Sequence, residues 1–397
     1  MKKVLFIVNQ GLISLNANGG ASVYYSHLEL LYLAGYKVHL LAVQWSDKDT
    51  FKKSDYIEIH KYVSTIDTYI IESKAPKKSL KRAYHAIFSP EKFEYYFLNK
   101  KNKKFLQEYT KIHAIDLIFA DWRWAAIWTG FSKVSVPVVY GHHDWEYKLA
   151  RLRTKRTFLQ KFHTFQKKRV EFALVKKVAG VISGSKTETE EVEKISRKKA
   201  LYLPTTYANV KSNLKPLKQP NIVHLGGMGT TANRLGLERF LDVCWPKIHQ
   251  DNPHINLIII GSLKEASPVL LKKIGANNII CKGFVFDLSE VLHPNDIHII
   301  PWEYNTGTRT RIPVVFNHSQ ALVATKASVA AFPEILHKQN AILCDNLESM
   351  IAEITALITN YKQREFLSNN GKKTFLASFT SIHQTEKMKK YLDSLFL

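Results

Sequence analysis

The sequence predicts two doubly wound α/β domains in tandem, each a Rossmann-like unit. Three observations carry this. Short, fully apolar runs such as Val4–Val8 and Ile255–Ile260 have the composition of parallel strands buried on both faces. Stretches of helical periodicity alternate with such runs along the chain, as βαβ units require. The alternation then restarts after Pro204–Pro220, a polar stretch holding three prolines, in a chain of 397 residues, a length suited to two domains. The expected division is a first domain over 1–204, a linker over 205–220 and a second domain over 221–378. A last helix over 379–397 is expected to pack back on the first domain.

In the first half, Val4–Val8 leads into a polar loop ending in Asn18-Gly19-Gly20, then a helix over Ala21–Leu33, a stop at Gly35 and a strand over Lys37–Val43. Ile57–Val63 reads as a further strand, and the basic, aromatic stretch Lys74–Tyr109 as one or two amphipathic helices. Strands follow at Ile115–Ala120, Val136–Tyr140 and Val178–Ser183. A long basic helix is expected over Tyr147–Lys177, and another over Ser185–Lys198 whose early glutamates and late lysines suit the helix dipole.

In the second half, Asn221–Leu225 ends in Gly226-Gly227-Met228-Gly229. A helix over Arg234–Ile248, interrupted or ended near Trp245-Pro246, precedes Ile255–Ile260, which Gly261 closes. Pro268–Ile274 and Phe286–Leu292 read as helices flanking a strand at Asn278–Cys281. Asp296–Ile300 and Ala321–Ala324 are strands on either side of a Gly307-Thr308-Arg309-Thr310-Arg311 turn and a helix. A strand at Ala341–Leu343 and three helices between Leu347 and Leu397 finish the chain.

The net charge is +23 and unevenly spread. Lys74 to Lys111 holds eleven Lys and Arg against three acids, and Lys148 to Lys177 eleven against Glu171 alone. Such stripes attract an anionic partner or form a solvated face. No nucleic-acid module accompanies them, so nucleic acid is not expected. Cys244, Cys281 and Cys344 show no CxxC spacing, as for reduced thiols in the cytoplasm. The apolar run after Met1-Lys2-Lys3 is too short for a secretory leader, and no run approaches the ~20 residues of a membrane span.

Open α/β sheets bind ligands at the C-terminal ends of their strands. Five stretches stand there. Gly19-Gly20 and Gly226-Gly227 let the backbone approach a phosphate, or simply make turns. The polar cluster Gly141-His142-His143-Asp144-Trp145-Glu146 offers an imidazole that could hydrogen-bond a ligand hydroxyl or a developing charge. Asp121 and Trp122 end the preceding strand at the same edge. Arg309 and Arg311 could give charge-assisted bonds to a diphosphate, or pair with nearby acids. A metal site is not expected: adjacent histidines on an extended segment point opposite ways and lack a third ligand.

With these residues placed, the sequence resembles the retaining nucleotide-sugar glycosyltransferases of the two-domain GT-B type, family 4-like. The resemblance runs through Leu225-Gly226-Gly227-Met228, Ala232-Asn233, Trp245-Pro246-Lys247-Ile248, Ile258–Gly261, Gly283-Phe284-Val285, Asp287-Leu288, Pro301-Trp302, Gly307–Arg311 and Val323-Ala324-Thr325. In the first half it rests on Gly19-Gly20 and His143-Asp144. It implies two Rossmann-like domains facing a cleft, and transfer of a sugar from a nucleotide sugar to a glycan or lipid-linked acceptor with retention, without a metal cofactor. His143 and Asp144 would stand at the reacting sugar. Gly19, Gly20, Gly226, Gly227, Gly261, Phe284, Val285, Glu303, Gly307, Thr308, Arg309 and Arg311 would hold the donor, and Asp121, Trp122, His142 and Trp145 would meet the acceptor. Work on cell-surface polysaccharide or glycolipid at the inner membrane face would follow, with an anionic membrane surface as partner. The sequence departs from the family in three respects: Pro313-Val314-Val315 stands where a ribose-binding Glu is usual, with Glu303 the nearest acid; the turn before the family's later Glu, Ala330-Ala331-Phe332-Pro333-Glu334, has no glycine; and the usual Arg and Lys after the first donor-domain strand are missing, with Arg234 a weak substitute. A non-catalytic binding protein and a nucleotide-sugar epimerase of the same fold therefore stay open as alternatives.

Overall fold

The structure is a computed structural model that describes residues 1–9, 13–15, 19–45, 53–73, 80–152, 157–275 and 278–396. Of the stretches named above, Asn18, residues 74–79 with Lys74, Lys77 and Lys78, residues 153–156 with Arg153, Lys155 and Arg156, and Leu397 lie outside the described residues.

The first sheet contains β1 (Lys3–Asn9), β2 (Lys37–Gln44), β3 (Thr65–Ile70), β4 (Leu117–Asp121), β5 (Val138–His142), β6 (Gly180–Ser183) and β7 (Leu201–Tyr202). The second contains β8 (Ile222–Leu225), β9 (Leu257–Ile260), β10 (Ile279–Gly283), β11 (Ile297–Ile300), β12 (Ala321–Thr325) and β13 (Ala341–Cys344). Their orders are β3-β2-β1-β4-β5-β6-β7 and β10-β9-β8-β11-β12-β13. All pairings between these strands are parallel. Each order reverses once, between β1 and β4 and between β8 and β11, which makes a crevice at the strand ends of each sheet. Val4, Phe6 and Val8 of β1 join one core cluster while Leu5 and Ile7 join another, so both faces of the sheet are covered. Burial on both faces is why the strand reads as one continuous apolar run.

Several elements differ from the sequence reading. Ile57–Val63 is not a strand. Residues Lys53–Tyr62 form a 3-10 helix whose Tyr56, Ile59 and Tyr62 are buried at every third position, a period of three, not two. The edge strand falls instead on Thr65–Ile70. The basic aromatic stretch forms three helices, Leu80–Phe88, Pro90–Glu94 and Lys100–Ile112. The long basic helix is two, Glu146–Arg151 and Phe158–Lys177, and the second starts at a capping box between Thr157 and Gln160. Arg234–Ile248 is interrupted where expected, at Cys244 before Trp245-Pro246, into Thr231–Val243 and Trp245–Asp251, with Pro246 in the first turn of the latter. Phe286–Leu292 shrinks to one 3-10 turn, Leu288–Glu290.

The chain passes between the domains twice. After Leu203 it enters the second domain, and after the Tyr361–Ser378 helix it returns as the helix Ser381–Asp393. Met388 and Leu392 of that helix are buried in the first domain's core. Tyr36 donates to Asp393 at 2.7 Å, and the Tyr391 hydroxyl accepts from Val181 N–H at 2.9 Å. The two crossings meet where Tyr207 N–H donates to the Phe379 carbonyl, 2.9 Å away.

Candidate active site

Asp121 closes β4 and is wholly buried. His27 Nδ1, on the Gly19–Leu33 helix, lies 2.8 Å from its Oδ2, and His143 Nε2, just past β5, lies 2.8 Å from its Oδ1. A carboxylate only accepts, so both rings donate. The neutral His143 ring then carries its proton on Nε2 and offers Nδ1 as an acceptor; only its protonated form donates there. Burial by itself would raise the Asp121 carboxyl. The His27 charge and the hydrogen bonds from His143 and His27 outweigh burial and hold the carboxyl at about 2. Gly141 pairs with Asp121 across the sheet, and a Cβ there would strike the carboxylate and approach the Phe119 ring to 3.2 Å. Trp122 follows with φ 73, in the left-handed region, a conformation that costs ~1–3 kcal/mol for a bulky residue. Its ring stacks on His143 with centroids 6.3 Å apart, and the Tyr24 ring lies 5.4 Å from the same imidazole.

This geometry corrects three acceptor assignments. Asp121 is sealed beneath His27 and His143, so it orients the imidazole and does not meet an acceptor. His142 is buried, its Nε2 3.1 Å from Glu188 Oε2 and its Nδ1 3.1 Å from the Tyr140 hydroxyl. Trp145 is buried in the first domain's core against Tyr147 and Phe172. The pleat turns His142 inward and leaves the partly buried His143 toward the cleft. Trp122 remains partly exposed beside it. Asp144 packs on Gly307 of the other domain. Burial, reinforced by the charge of Glu188, raises the Asp144 carboxyl.

The second domain answers with the loop between β11 and the Arg311–Asn317 helix. Gly307 has φ 61 and donates its N–H to Glu188 Oε1 at 3.3 Å. Thr310 lies so close to Gly19 that a Cβ at 19 would come 2.5 Å from its Oγ1, and Thr308 lies 3.4 Å from the same point on Gly184. Gly20 follows in the first turn of the same helix and is partly exposed. Arg309 curls back to donate to the Thr306 carbonyl and sits 5.9 Å from the Trp302 ring. Arg311 reaches the end of β8, donating to the Leu225 carbonyl 3.4 Å from His224 Nε2. The two guanidinium groups therefore take different backbone partners. Burial lowers Arg309 to about 10, with Asp144 and Glu188 counteracting. Burial lowers Arg311 to about 9, with Arg309 adding repulsion, so both stay cationic near neutral pH.

Arg311 is buried, its Nη2 has no hydrogen-bond partner, and among the described residues no carboxylate pairs with it. Its neighbour His224 is neutral, since burial and then Arg311 push it well below its ordinary value. A buried cation without a counter-ion is costly unless an anion completes it. The Gly226-Gly227 turn lies at the same strand end; Asn233 Nδ2 donates to the Gly227 carbonyl at 3.0 Å, and a Cβ at Gly227 would meet the Ser262 backbone at 3.8 Å.

Other donor assignments come out differently. Gly261 has φ 134, and a Cβ there would lie 2.5 Å from Gly226 C; it lets β9 pass the Gly226-Gly227 turn and meets no ligand itself. Glu303 is committed to Arg239 at 2.7 Å. Val314 packs with Ile312, Val315 and Phe316, and no acid takes the place it occupies. Phe284 is exposed, and Val285 packs on the Val223–Ile260 cluster. Glu334 is tied across the cleft, accepting from the Tyr202 hydroxyl at 2.9 Å, beside the bond from Lys186 N–H to the Ala331 carbonyl at 2.9 Å.

The sequence reading missed His27, Tyr24, Glu188 and His224. His27 and Tyr24 had a signal: polar-capable residues within the apolar stretch of the helix after Gly19-Gly20. Glu188 looked like a dipole-pairing surface acid, yet it is buried.

Against known proteins, residues 219–360 match the family model described as Glycosyl transferases group 1. No curated protein matches the chain in sequence. Among solved structures, sucrose-phosphate synthase from Thermosynechococcus elongatus aligns over 100% of this chain and 99% of its own, with TM-score 0.72 and 16% identity. HepE from Anabaena, in complex with UDP-glucose, aligns over 99% and 100%, with TM-score 0.69 and 14% identity. A TarM variant from S. aureus, in complex with UDP and α-GlcNAc-glycerol among other molecules, aligns over 100% of both chains, with TM-score 0.70 and 11% identity. The architecture is thus that of the two-domain GT-B glycosyltransferases. The second half carries a group 1 glycosyltransferase domain, and the chain is a glycosyltransferase in class.

Proposed function

We propose that the chain transfers a sugar from a nucleoside diphosphate donor, UDP-sugar first among them, to an acceptor hydroxyl with retention of configuration. The observation that carries this reading is Arg311: a buried guanidinium with a free Nη2 and no counter-ion, beside Arg309 and the Gly226-Gly227 turn. The donor diphosphate completes that site, and the Gly19-Gly20 helix start approaches from the first domain. The sugar lies toward His143, whose Nδ1 accepts from a sugar hydroxyl. The bond between the anomeric carbon and the phosphate oxygen breaks as the bond to the acceptor oxygen forms on the same face. The acceptor's proton passes to the departing phosphate oxygen, so no carboxylate base is needed. In this reading the two arginines, not a metal ion, neutralise the leaving group.

Val314 in place of an acid leaves ribose recognition to other groups, which predicts modest discrimination at that sugar. The acceptor is a growing glycan or a lipid-linked saccharide in cell-surface polysaccharide or glycolipid assembly, met in the cytoplasm at an anionic membrane surface. Calorimetric titration with UDP, GDP, ADP and their sugars tests the donor site. Arg311→Met should weaken diphosphate binding at least about tenfold, the worth of one lost charge-assisted pair. Nucleoside diphosphates binding equally well to wild type and to Arg311→Met, or binding to neither, would remove the proposed site. The anomeric configuration of the product, read by NMR, decides retention.

A further inference from the structure

We infer that the first domain carries a built docking face for an anionic lipid bilayer, formed by the Leu80–Phe88 and Phe158–Lys177 helices. This deepens the membrane-surface part of the reading above and rests on it only for the identity of the acceptor. The two helices are locked together: Gln166 Nε2 donates to the Ala86 carbonyl at 2.7 Å, and Arg169 donates to the carbonyls of Ala86 and Ile87 at 3.3 and 2.8 Å. From this joint large apolar side chains project into solvent. Ile87 and Phe88 are 61% and 66% exposed at the end of one helix, and Phe158 and Leu159 are 86% and 62% exposed at the start of the other. Phe158, Phe162, Phe165 and Arg169 fall at i, i+4, i+7 and i+11, one stripe of the helix. Within each helix the patch is extended: the Arg169 guanidinium lies 5.9 Å from the Phe165 ring, and Tyr84 packs on Phe88 with centroids 4.8 Å apart.

Exposed aromatic and aliphatic groups on this scale mark an interaction surface. Its charge identifies the partner. Between Lys148 and Lys177 the one acid is Glu171, and it is buried, held by the N–H groups of Glu146 and Tyr147 at 2.8 and 3.2 Å. The exposed side of the helix therefore carries no acid of its own, and Lys161 and Lys92 stand exposed nearby; of the neighbouring acids, Glu94 is paired with His163 at 2.7 Å and Glu91 is partly exposed. Apolar groups at the tips of a cation-rich surface match the acyl–headgroup boundary of an anionic bilayer. An acidic protein would satisfy the lysines but not bury Phe158 and Leu159 so directly. The opposite side of the same helix packs on the segment that follows His143: Lys167 pairs with Glu146 at 2.7 Å, and Glu171 fixes the start of the Glu146–Arg151 helix. Phe158 and Glu171 are thirteen residues apart along this helix, about 20 Å at its rise per residue, so a lipid-anchored acceptor would be delivered within reach of His143.

The test is flotation of the full chain with vesicles of phosphatidylcholine alone or with a third phosphatidylglycerol. Binding is expected only with phosphatidylglycerol, to weaken at 0.5 M salt, and to fall at least about tenfold in Phe158→Glu/Leu159→Glu and in Ile87→Glu/Phe88→Glu. Because these side chains are solvent-exposed, both variants should keep the wild-type melting temperature and UDP affinity. UDP titration on the same samples separates a failure of this surface from a failure of the transferase reading. No binding to phosphatidylglycerol vesicles, or binding that both double variants leave intact, overturns the proposal. So does lipid-independent capture of an acidic protein through the same four residues.

Discussion

The buried carboxylate between His27 and His143 makes a quantitative prediction. Asp121→Asn keeps the shape and removes the charge. The carboxyl sits at about 2 in the folded chain against 3.8 for an unperturbed Asp. That difference corresponds to about 2.4 kcal/mol of stability when the group is ionised in both states. Because folding depresses this pKa, the contribution is present above pH 3.8 and drains away as the pH falls through about 2. Integrating the linkage gives about 2.4 kcal/mol at pH 5 and about 1.3 kcal/mol at pH 3. Urea unfolding of wild type and Asp121→Asn at the two pH values measures the gap directly. The variant should be less stable by about 2 kcal/mol at pH 5, and the gap should close by about 1 kcal/mol at pH 3. A gap that is negligible at pH 5, or that does not narrow with acid, refutes the argument that the paired histidines dominate burial here. The variant should also turn over more slowly, because an amide can accept from only one of the two imidazoles, and His143 loses its fixed tautomer or His27 its partner.

Two further outcomes follow from the packing. Gly261→Ala forces a Cβ onto the Gly226 backbone at φ 134, so the second domain should lose about 3 kcal/mol or more, read as a lowered melting temperature. Of the three cysteines only Cys281 is exposed, while burial pushes Cys244 and Cys344 up to about 12 and 11. A thiol reagent at pH 8 should count one fast thiol in the native chain and three after denaturation.

The fold was legible because parallel strands buried on both faces write continuous apolar runs, as Val4–Val8 and Ile255–Ile260 do. The reading failed where periodicity was ambiguous: Ile57–Val63 is apolar enough for a strand, and only its packing against the first domain's core shows the period of three. The arginine-rich loop could be placed because it follows a strand end, and its two glycine-turn neighbours likewise. The direction of side chains at those ends was not legible. Asp121, His142 and Trp145 share strand-end positions with His143, yet the pleat and the helices beneath turn them inward. Glu188 and His27 escaped because a helix residue's partner is set by tertiary placement, 119 positions away for Glu188 and Gly307 and 94 for His27 and Asp121.

The double passage of the chain between domains also governs how the cleft can open. A single connecting strand would let the second domain swing and twist about any axis through one point. Here Leu203–Tyr207 and Phe379–Ser381 cross side by side, and the bond from Tyr207 to Phe379 pins them to each other. Two anchored points define a line, and rotation about that line is the one displacement that stretches neither crossing. The molecule is in this sense a book with a stitched spine. Gly19 and Thr310, Glu188 and Gly307, and Tyr202 and Glu334 lie on facing pages, and they part and meet together. In the reaction proposed above, donor entry and release of the diphosphate would be angles of that one hinge, and closure would bring Arg311 and His143 back into the same registration.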